Sequence, residues 1–279
     1  MSALRLGTRG SALALAQARW VAARLGDEVE LVEVTTAGDL DRRAGDKSRW
    51  TGALEQALLA GAIDVAVHSA KDVPGELAPG TEIAAVPPRE DARDVLVGAP
   101  SLGALPRGAR VGTSALRRRA QLLAVRPDLD VVELRGNVDT RLRKLADGEL
   151  DALVLAAAGL ARLRRDDVVA APLEGDVFVP APGQGCLLVQ ARTGTSLAAI
   201  DDRAARAALL EERSVVVRLD ASCHTPVGVH SGTDGLAAFV GLPDGSEWLI
   251  DEAPDAESLA ARMLSAGAAD LLARAEATA

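Results

Sequence analysis

Two rhythms alternate along this chain, one of period two and one near 3.6. Residues 4–8 (LRLGT) predict a short strand, and Ser11 can cap a helix over about 12–25, rich in Ala and Leu. Residues 29–36 (VELVEVTT) alternate and predict a second strand. The charged, glycine-bearing stretch 37–50 predicts a mobile loop, a helix follows over about 51–60, and 63–69 (IDVAVHS) carries the apolar core of a buried strand.

The order then recurs. Residues 109–124 (ARVGTSALRRRAQLLA) again read strand, Gly-Thr, Ser, helix. Residues 138–158 echo 51–70, with Gly148, Leu150 and Asp151 standing for Gly61, Ile63 and Asp64. The echo predicts two α/β lobes of similar build with largely parallel sheets, 1–90 plus about 186–204 and 93–180, joined by a crossing segment at 179–185 (VPAPGQG). Residues 205–279 differ. Short strands near 227–230, 236–242 and 247–251, a Pro-Asp-Gly turn and a final Ala-rich helix after Asp255 predict a small C-terminal α+β domain.

In sheets of this kind ligands sit beyond the carboxyl ends of the strands, so two such lobes are expected to share a cleft there. Arg9, Arg117, Arg118, Arg135 and Arg141 all fall at or just after predicted strand ends. A guanidinium grips a carboxylate through two parallel hydrogen bonds, and helix N-termini near Thr8–Ser11 and Thr113–Ser114 also favour anions. The competing reading of each arginine is a solvated helix face. Lys71 and Asp72, in HSAKDVP, stand at the mouth of a buried strand. A carboxylate there could hold an N–H donor and stabilise a developing cation, or simply close a loop through an ion pair. His68 reads as a structural residue. Cys223 reads either as a reactive thiol or as a small buried side chain.

Composition narrows the field. Among 279 residues 48% are hydrophobic and 25% charged, which suits a folded globular chain. The core is aliphatic, with 3 Trp, 2 Phe and no Tyr. Scarce aromatics and a net charge of −9 argue against nucleic-acid binding. Residues 205–279 hold 5 Arg against 12 Asp or Glu, which concentrates the arginines in the lobes. Two cysteines without a pairing motif suggest a reduced, cytoplasmic setting, and no metal spacing is seen. No apolar run approaches a membrane span, and the start of the chain is too short in its apolar part, Ala12 to Ala16, for a secretion signal.

The segments LGTRGSALALAQ (6–17), GAIDVAVHSAKDVP (61–74), VGTSALRR (111–118), LRGNVDTRL (134–142), LAAAGLARL (155–163), VPAPGQG (179–185) and the Cys223 loop together resemble the porphobilinogen deaminase (hydroxymethylbilane synthase) family, in order and spacing, over nearly the whole chain. The resemblance implies two periplasmic-binding-protein-like lobes with mixed sheets and a third domain whose cysteine, here Cys223, holds a dipyrromethane cofactor through a thioether. It implies a transferase that condenses four porphobilinogens head to tail with loss of ammonia. Asp72 falls on the catalytic aspartate. Arg9, Arg117, Arg118, Arg135, Arg141 and Arg162 fall on binders of the pyrrole acids. Ser11, Ser69, Lys71, Thr113 and Ser114 fall on supporting donors, and Lys47 on a lysine of the active-site loop. A monomer is expected. Departures are Ala221-Ser222 where the family has Gly-Gly, Ala115 for a second Ser, and Asp46-Lys47-Ser48-Arg49-Trp50 with Gly52 in the loop. The rival reading is a non-enzymatic two-lobe binder of small polycarboxylates, which leaves Asp72 and Cys223 without a task.

Overall fold

Strand β1 (Leu4–Thr8) and helix α1 (Ala12–Leu25) form where the pattern places them, and Ser11 caps α1 by accepting from Ala14 N at 3.3 Å. They belong to a computed structural model that describes residues 3–36, 48–222 and 225–278. The chain divides into two units, 1–90 with 185–210 and 91–184 with 211–279.

The first unit holds a five-stranded sheet ordered β2 (Val29–Glu33), β1, β3 (Val65–Ser69), β10 (Leu187–Arg192), β4 (Thr81–Ala85). The second holds β7 (Asp130–Glu133), β6 (Arg110–Thr113), β8 (Ala152–Ala156), β5 (Asp94–Val97), β9 (Ala170–Pro172) in the same plan. In each, four strands run in one direction and the strand next to one edge, β10 or β5, runs antiparallel to both its neighbours. Strand–helix alternation predicts the parallel part. The antiparallel strand comes from a distant stretch of chain, so each sheet is mixed.

The internal echo has a physical basis. Asp64 Oδ2 accepts from Arg5 N at 2.9 Å and Asp151 Oδ2 from Arg110 N at 2.6 Å, so each aspartate pins the start of the neighbouring parallel strand. Ile63 and Leu150 lie over glycines of that same strand. A Cβ on Gly7 would stand 2.3 Å from Ile63 Cδ1, and one on Gly112 would stand 2.6 Å from Leu134 Cδ2 and 2.8 Å from Leu150 Cδ1. Overfilling such a site costs about 1–3 kcal/mol. Gly112→Ala is therefore expected to lower the unfolding free energy by that amount in urea titration, and Leu150→Ala in the same chain to restore part of it. An unchanged midpoint would show that the strand has room.

Helix α2 (Ser48–Leu59) begins three residues before the expected start, so residues 48–50, read as loop, are helical. The charge run masked a helix whose Leu54 and Leu58 are fully buried. Helices α3 (Leu116–Val125), α4 (Val138–Ala146) and α5 (Ala157–Arg162) follow in the second unit. Helix α6 (Arg203–Arg218) runs through the expected domain start at 205 without interruption. Its Ala205 and Leu209 join one core with Cys186 and Leu188, while Val215 and Leu219 join another.

The C-terminal segment forms an antiparallel sheet of β11 (Val227–Ser231), β12 (Leu236–Gly241) and β13 (Trp248–Ala253). Two helices follow where one was expected, α7 (Ala256–Ser265) and α8 (Ala268–Ala277), because Gly267 breaks the run at φ +103°. This segment groups with the second unit, where Phe239 packs with Ala120 and Val179. No helix among the described residues is long and apolar enough to cross a membrane.

Candidate active site

In the first unit the ends of β1 and β3 and the starts of α1 and α2 line one pocket. Arg9, Ser11, Ser69 and Asp72 meet there, with Gln17, Trp50, Thr51 and His68 in its walls. Asp72 ends a short turn after β3. That turn is anchored by Ala70 N on Cys186 O at 3.0 Å, and its Ala70 and Val73 are buried with Cys186 and Leu188. The apolar residues fix the backbone and leave the half-buried Asp72 in the pocket wall. The Arg9 guanidinium lies 4.0 Å from the centre of the Trp50 ring, a contact that orients the cation without removing its charge. Ser69 Oγ accepts from Gln17 Nε2 at 2.8 Å. Lys71 is half-buried beside Asp72 in the chain, and Lys47 lies outside the described residues.

His68 is 6% exposed, and burial holds its imidazole down to about 4, so it is neutral at ordinary pH. The Gln190 side chain and the Glu55 carboxylate act on the imidazole, and among the described residues Thr51 Oγ1 has no hydrogen-bond partner.

In the second unit the arginines separate into two kinds. Arg117 and Arg118, expected at an anion site, are 5% and 6% exposed and both bind Asp94, itself 1% exposed. Arg117 Nη1 donates to Asp94 Oδ2 at 2.6 Å, to Gln121 Oε1 at 2.8 Å and to Val179 O at 2.9 Å. Arg118 Nε donates to Asp94 Oδ1 at 3.0 Å and its Nη1 to Val154 O at 3.0 Å. Gln184 Nε2 adds a bond to Asp94 Oδ1 at 2.8 Å. Burial alone would raise the Asp94 carboxyl, but the two guanidiniums and these hydrogen bonds outweigh it and hold it well below the usual carboxylate range. Two cations against one anion leave this buried cluster with a surplus positive charge.

That surplus is felt at Arg141, whose guanidinium is lowered to about 10, first by burial and then by the charge of Arg118. Arg141 Nε donates to Gly136 O at 2.9 Å and its Nη2 to Ser114 Oγ at 3.1 Å. Thr113 is buried, and its Oγ1 accepts from Ala115 N at 3.2 Å. Ala115 occupies the α3 cap position without a side-chain bond. Arg118, Arg141 and Ser114 thus form one electropositive cluster. Arg135 is exposed and paired with Glu133 Oε1 at 2.6 Å, and Arg162 ends α5 half-buried.

Cys223 lies outside the described residues, but its flanks are held. Ala221 N bonds Val216 O at 3.1 Å and Thr225 Oγ1 donates to Ser222 O at 2.8 Å. No group of three or more His, Cys, Asp or Glu suited to a metal occurs among the described residues.

Three residues were given no role by the sequence reading: Gln17, Thr51 and Asp94. A lone amide in an Ala/Leu helix and a carboxylate opening the apolar strand Asp94–Val97 were the available signals. Thr51 carries none, since only packing buries it.

The family model and the curated relatives agree on one family. The model for porphobilinogen deaminase, dipyromethane cofactor binding domain, matches residues 4–199. The porphobilinogen deaminase of Roseiflexus castenholzii is 46% identical over 300 aligned positions, which cover 98% of this chain and 99% of that protein. That of Deinococcus radiodurans is 43% identical over 304 positions, covering 98% of each. Among solved structures, the VFT2 domain of Bordetella pertussis BvgS aligns with a TM-score of 0.41 at 14% identity, over 77% of this chain and 91% of that one.

Proposed function

The chain belongs to the porphobilinogen deaminase family, and from that premise we propose that Asp72 is its catalytic carboxylate, that Cys223 carries the dipyrromethane cofactor, and that the arginine clusters hold the acidic side chains of the growing product. The family activity is the head-to-tail condensation of four porphobilinogens, with loss of ammonia, into hydroxymethylbilane on that cofactor. When bound, the cofactor supplies the free pyrrole carbon to which the first substrate couples.

The observation that carries the reading is the pocket in which a carboxylate, Asp72, shares its walls with a guanidinium, Arg9, and the hydroxyls of Ser11 and Ser69. A pyrrole with pendant acids presents both complements, ring N–H groups for the one and carboxylates for the other, so the donor set fits cofactor and substrate alike. Asp72 holds N–H groups and places negative charge where the carbon losing ammonia becomes electron-poor. Arg9, Ser11, Ser69 and Lys71 bind acids in the first unit. Thr113, Ser114, Arg135, Arg141 and Arg162 do so in the second, where Arg117 and Arg118 add the surplus charge of the Asp94 cluster. Lys47 contributes from its loop. The enzyme acts as a cytoplasmic monomer.

Intact-mass spectrometry tests the anchor. The purified chain should exceed its sequence mass by two porphobilinogens less two ammonias, and Cys223→Ser should lack the excess and turn over no substrate. An active protein with a bare thiol would overturn the attachment.

A further inference from the structure

One helix of the second unit grips the C-terminal segment at successive turns. In α3, Ala120 is fully buried and packs with Phe239 of β12 and with Val179. One residue on, Gln121 is also fully buried, and its Nε2 donates to Val179 O at 2.8 Å beside Arg117 Nη1 at 2.9 Å. At the end of the helix the turn between β12 and β13 comes down to backbone contact. A Cβ on Gly245 would stand 2.5 Å from Ala124 N and 2.6 Å from Leu123 C. The residues held at Val179 pass the grip on to β11. Val229 N donates to Pro180 O at 2.9 Å, and a Cβ on Gly228 would stand 2.5 Å from Val179 O.

These contacts leave no slack. Dry apolar side chains and backbones at glycine distance resist gradual displacement, because close-packed interiors have no room to yield. Hydrophobic interfaces hold domains together where polar ones let them move. The same helix presents Arg118 in its first turn, and the charge of that guanidinium reaches Arg141, which bonds Ser114. On the other side of the grip, β11 begins four residues after Cys223, and Ala221 packs against the core that holds Val227 and Leu259.

Resting on the functional reading above, we propose that α3 seats the cofactor-bearing segment on the second lobe as one body, so that the stretch around Cys223 keeps a fixed register to Arg118, Arg141 and Ser114 while the product lengthens. The growing chain moves past these groups, and its anchor does not. Gln121, Gly228 and Gly245 are positioning residues: they act through β11 and the β12–β13 turn and touch no substrate.

Intact-mass spectrometry of the cofactor-bearing protein during turnover tests this, because each added pyrrole appears as a step in mass. Val125→Cys with Ser246→Cys places thiols at exposed positions beside the Gly245–Ala124 contact, and Cys186 is buried. Joined by a short bismaleimide, with Cys223 already capped by its cofactor, this protein should keep the kcat of the unjoined pair and complete the tetrapyrrole. A joined protein that stalls on a partly built chain overturns the proposal, since the anchor must then part from α3. Gly245→Ala should act the other way. It forces the turn off the helix by roughly 1 Å, so kcat should fall about tenfold to a hundredfold and partly built chains should accumulate in protein still folded at the assay temperature. A parental kcat in Gly245→Ala, whatever its melting temperature, overturns the positioning role while the enzyme's activity stands. A parent protein that carries no pyrroles and is inert towards porphobilinogen would remove the functional reading first, and this proposal with it.

Discussion

Asp72→Asn should lower kcat by about 10²–10³-fold while KM changes little, because it removes one charge from the pocket and almost no volume. The turn that carries residue 72 is held by Ala70 and Val73 in the core and by the Ala70–Cys186 bond, none of which involves the carboxylate. The asparagine variant therefore keeps its shape. On the proposed role it loses the negative charge beside the carbon from which ammonia departs, an interaction needed more in the transition state than in the bound substrate. The measurement is made on protein whose intact mass shows the cofactor in place, so that failed assembly is not counted as failed turnover. A kcat within threefold of the parent would remove Asp72 from the chemistry and move attention to its neighbours in the pocket.

Asp94→Asn should destabilise the chain by about 3–5 kcal/mol, because it strands two buried guanidiniums. Arg117 and Arg118 are as buried as the carboxylate that joins them, and water cannot replace it. The effect depends on pH in a defined direction. The Asp94 carboxyl is depressed in the folded state, so its contribution is present above the unfolded carboxylate pKa, about 4, and is lost as pH falls below it. His68 acts over a higher window. Its imidazole is lowered to about 4 on folding, so the unfolded chain takes up that proton first and stability declines as pH falls from about 6.5 towards 4. Denaturant titrations at pH 7, 5 and 3 separate the two. Parent and Asp94→Asn should lose stability alike between pH 7 and 5, and the parent should lose more between 5 and 3. Equal slopes below pH 4 would mean that Asp94 is not held low by its arginines.

The cluster around Asp94 also shows how a plausible sequence reading is corrected by burial. Arg117 and Arg118 follow a strand end and open a helix, as an anion-binding pair would. The structure turns both toward a carboxylate 23 and 24 residues away in the chain. Their influence on the ligand side passes through the surplus charge at Arg141. Arg141 and Ser114, from two different helix starts, bond each other, so two of the residues named from strand-end placement do meet.

Local pattern was enough for much of this protein. Periodicity placed β1, α1, β3, β6, α3 and the three C-terminal strands, because a side chain's preference for water or core is written at its own position. The echo of Gly61, Ile63 and Asp64 in Gly148, Leu150 and Asp151 foretold two lobes of one plan, since each aspartate bonds the neighbouring strand and each aliphatic covers its glycine. The motifs pointed to Asp72 and Arg9, which the structure brings into one pocket, and to Cys223, proposed above as the cofactor's anchor. Pairing across long stretches of chain was beyond reach. The antiparallel strands β5 and β10, the partners of Arg117 and Arg118, and the burial of Thr51 and His68 depend on which surfaces meet after folding. Those meetings are decided by the packing of whole sheets and helices, and a single residue's neighbours in sequence carry no record of them.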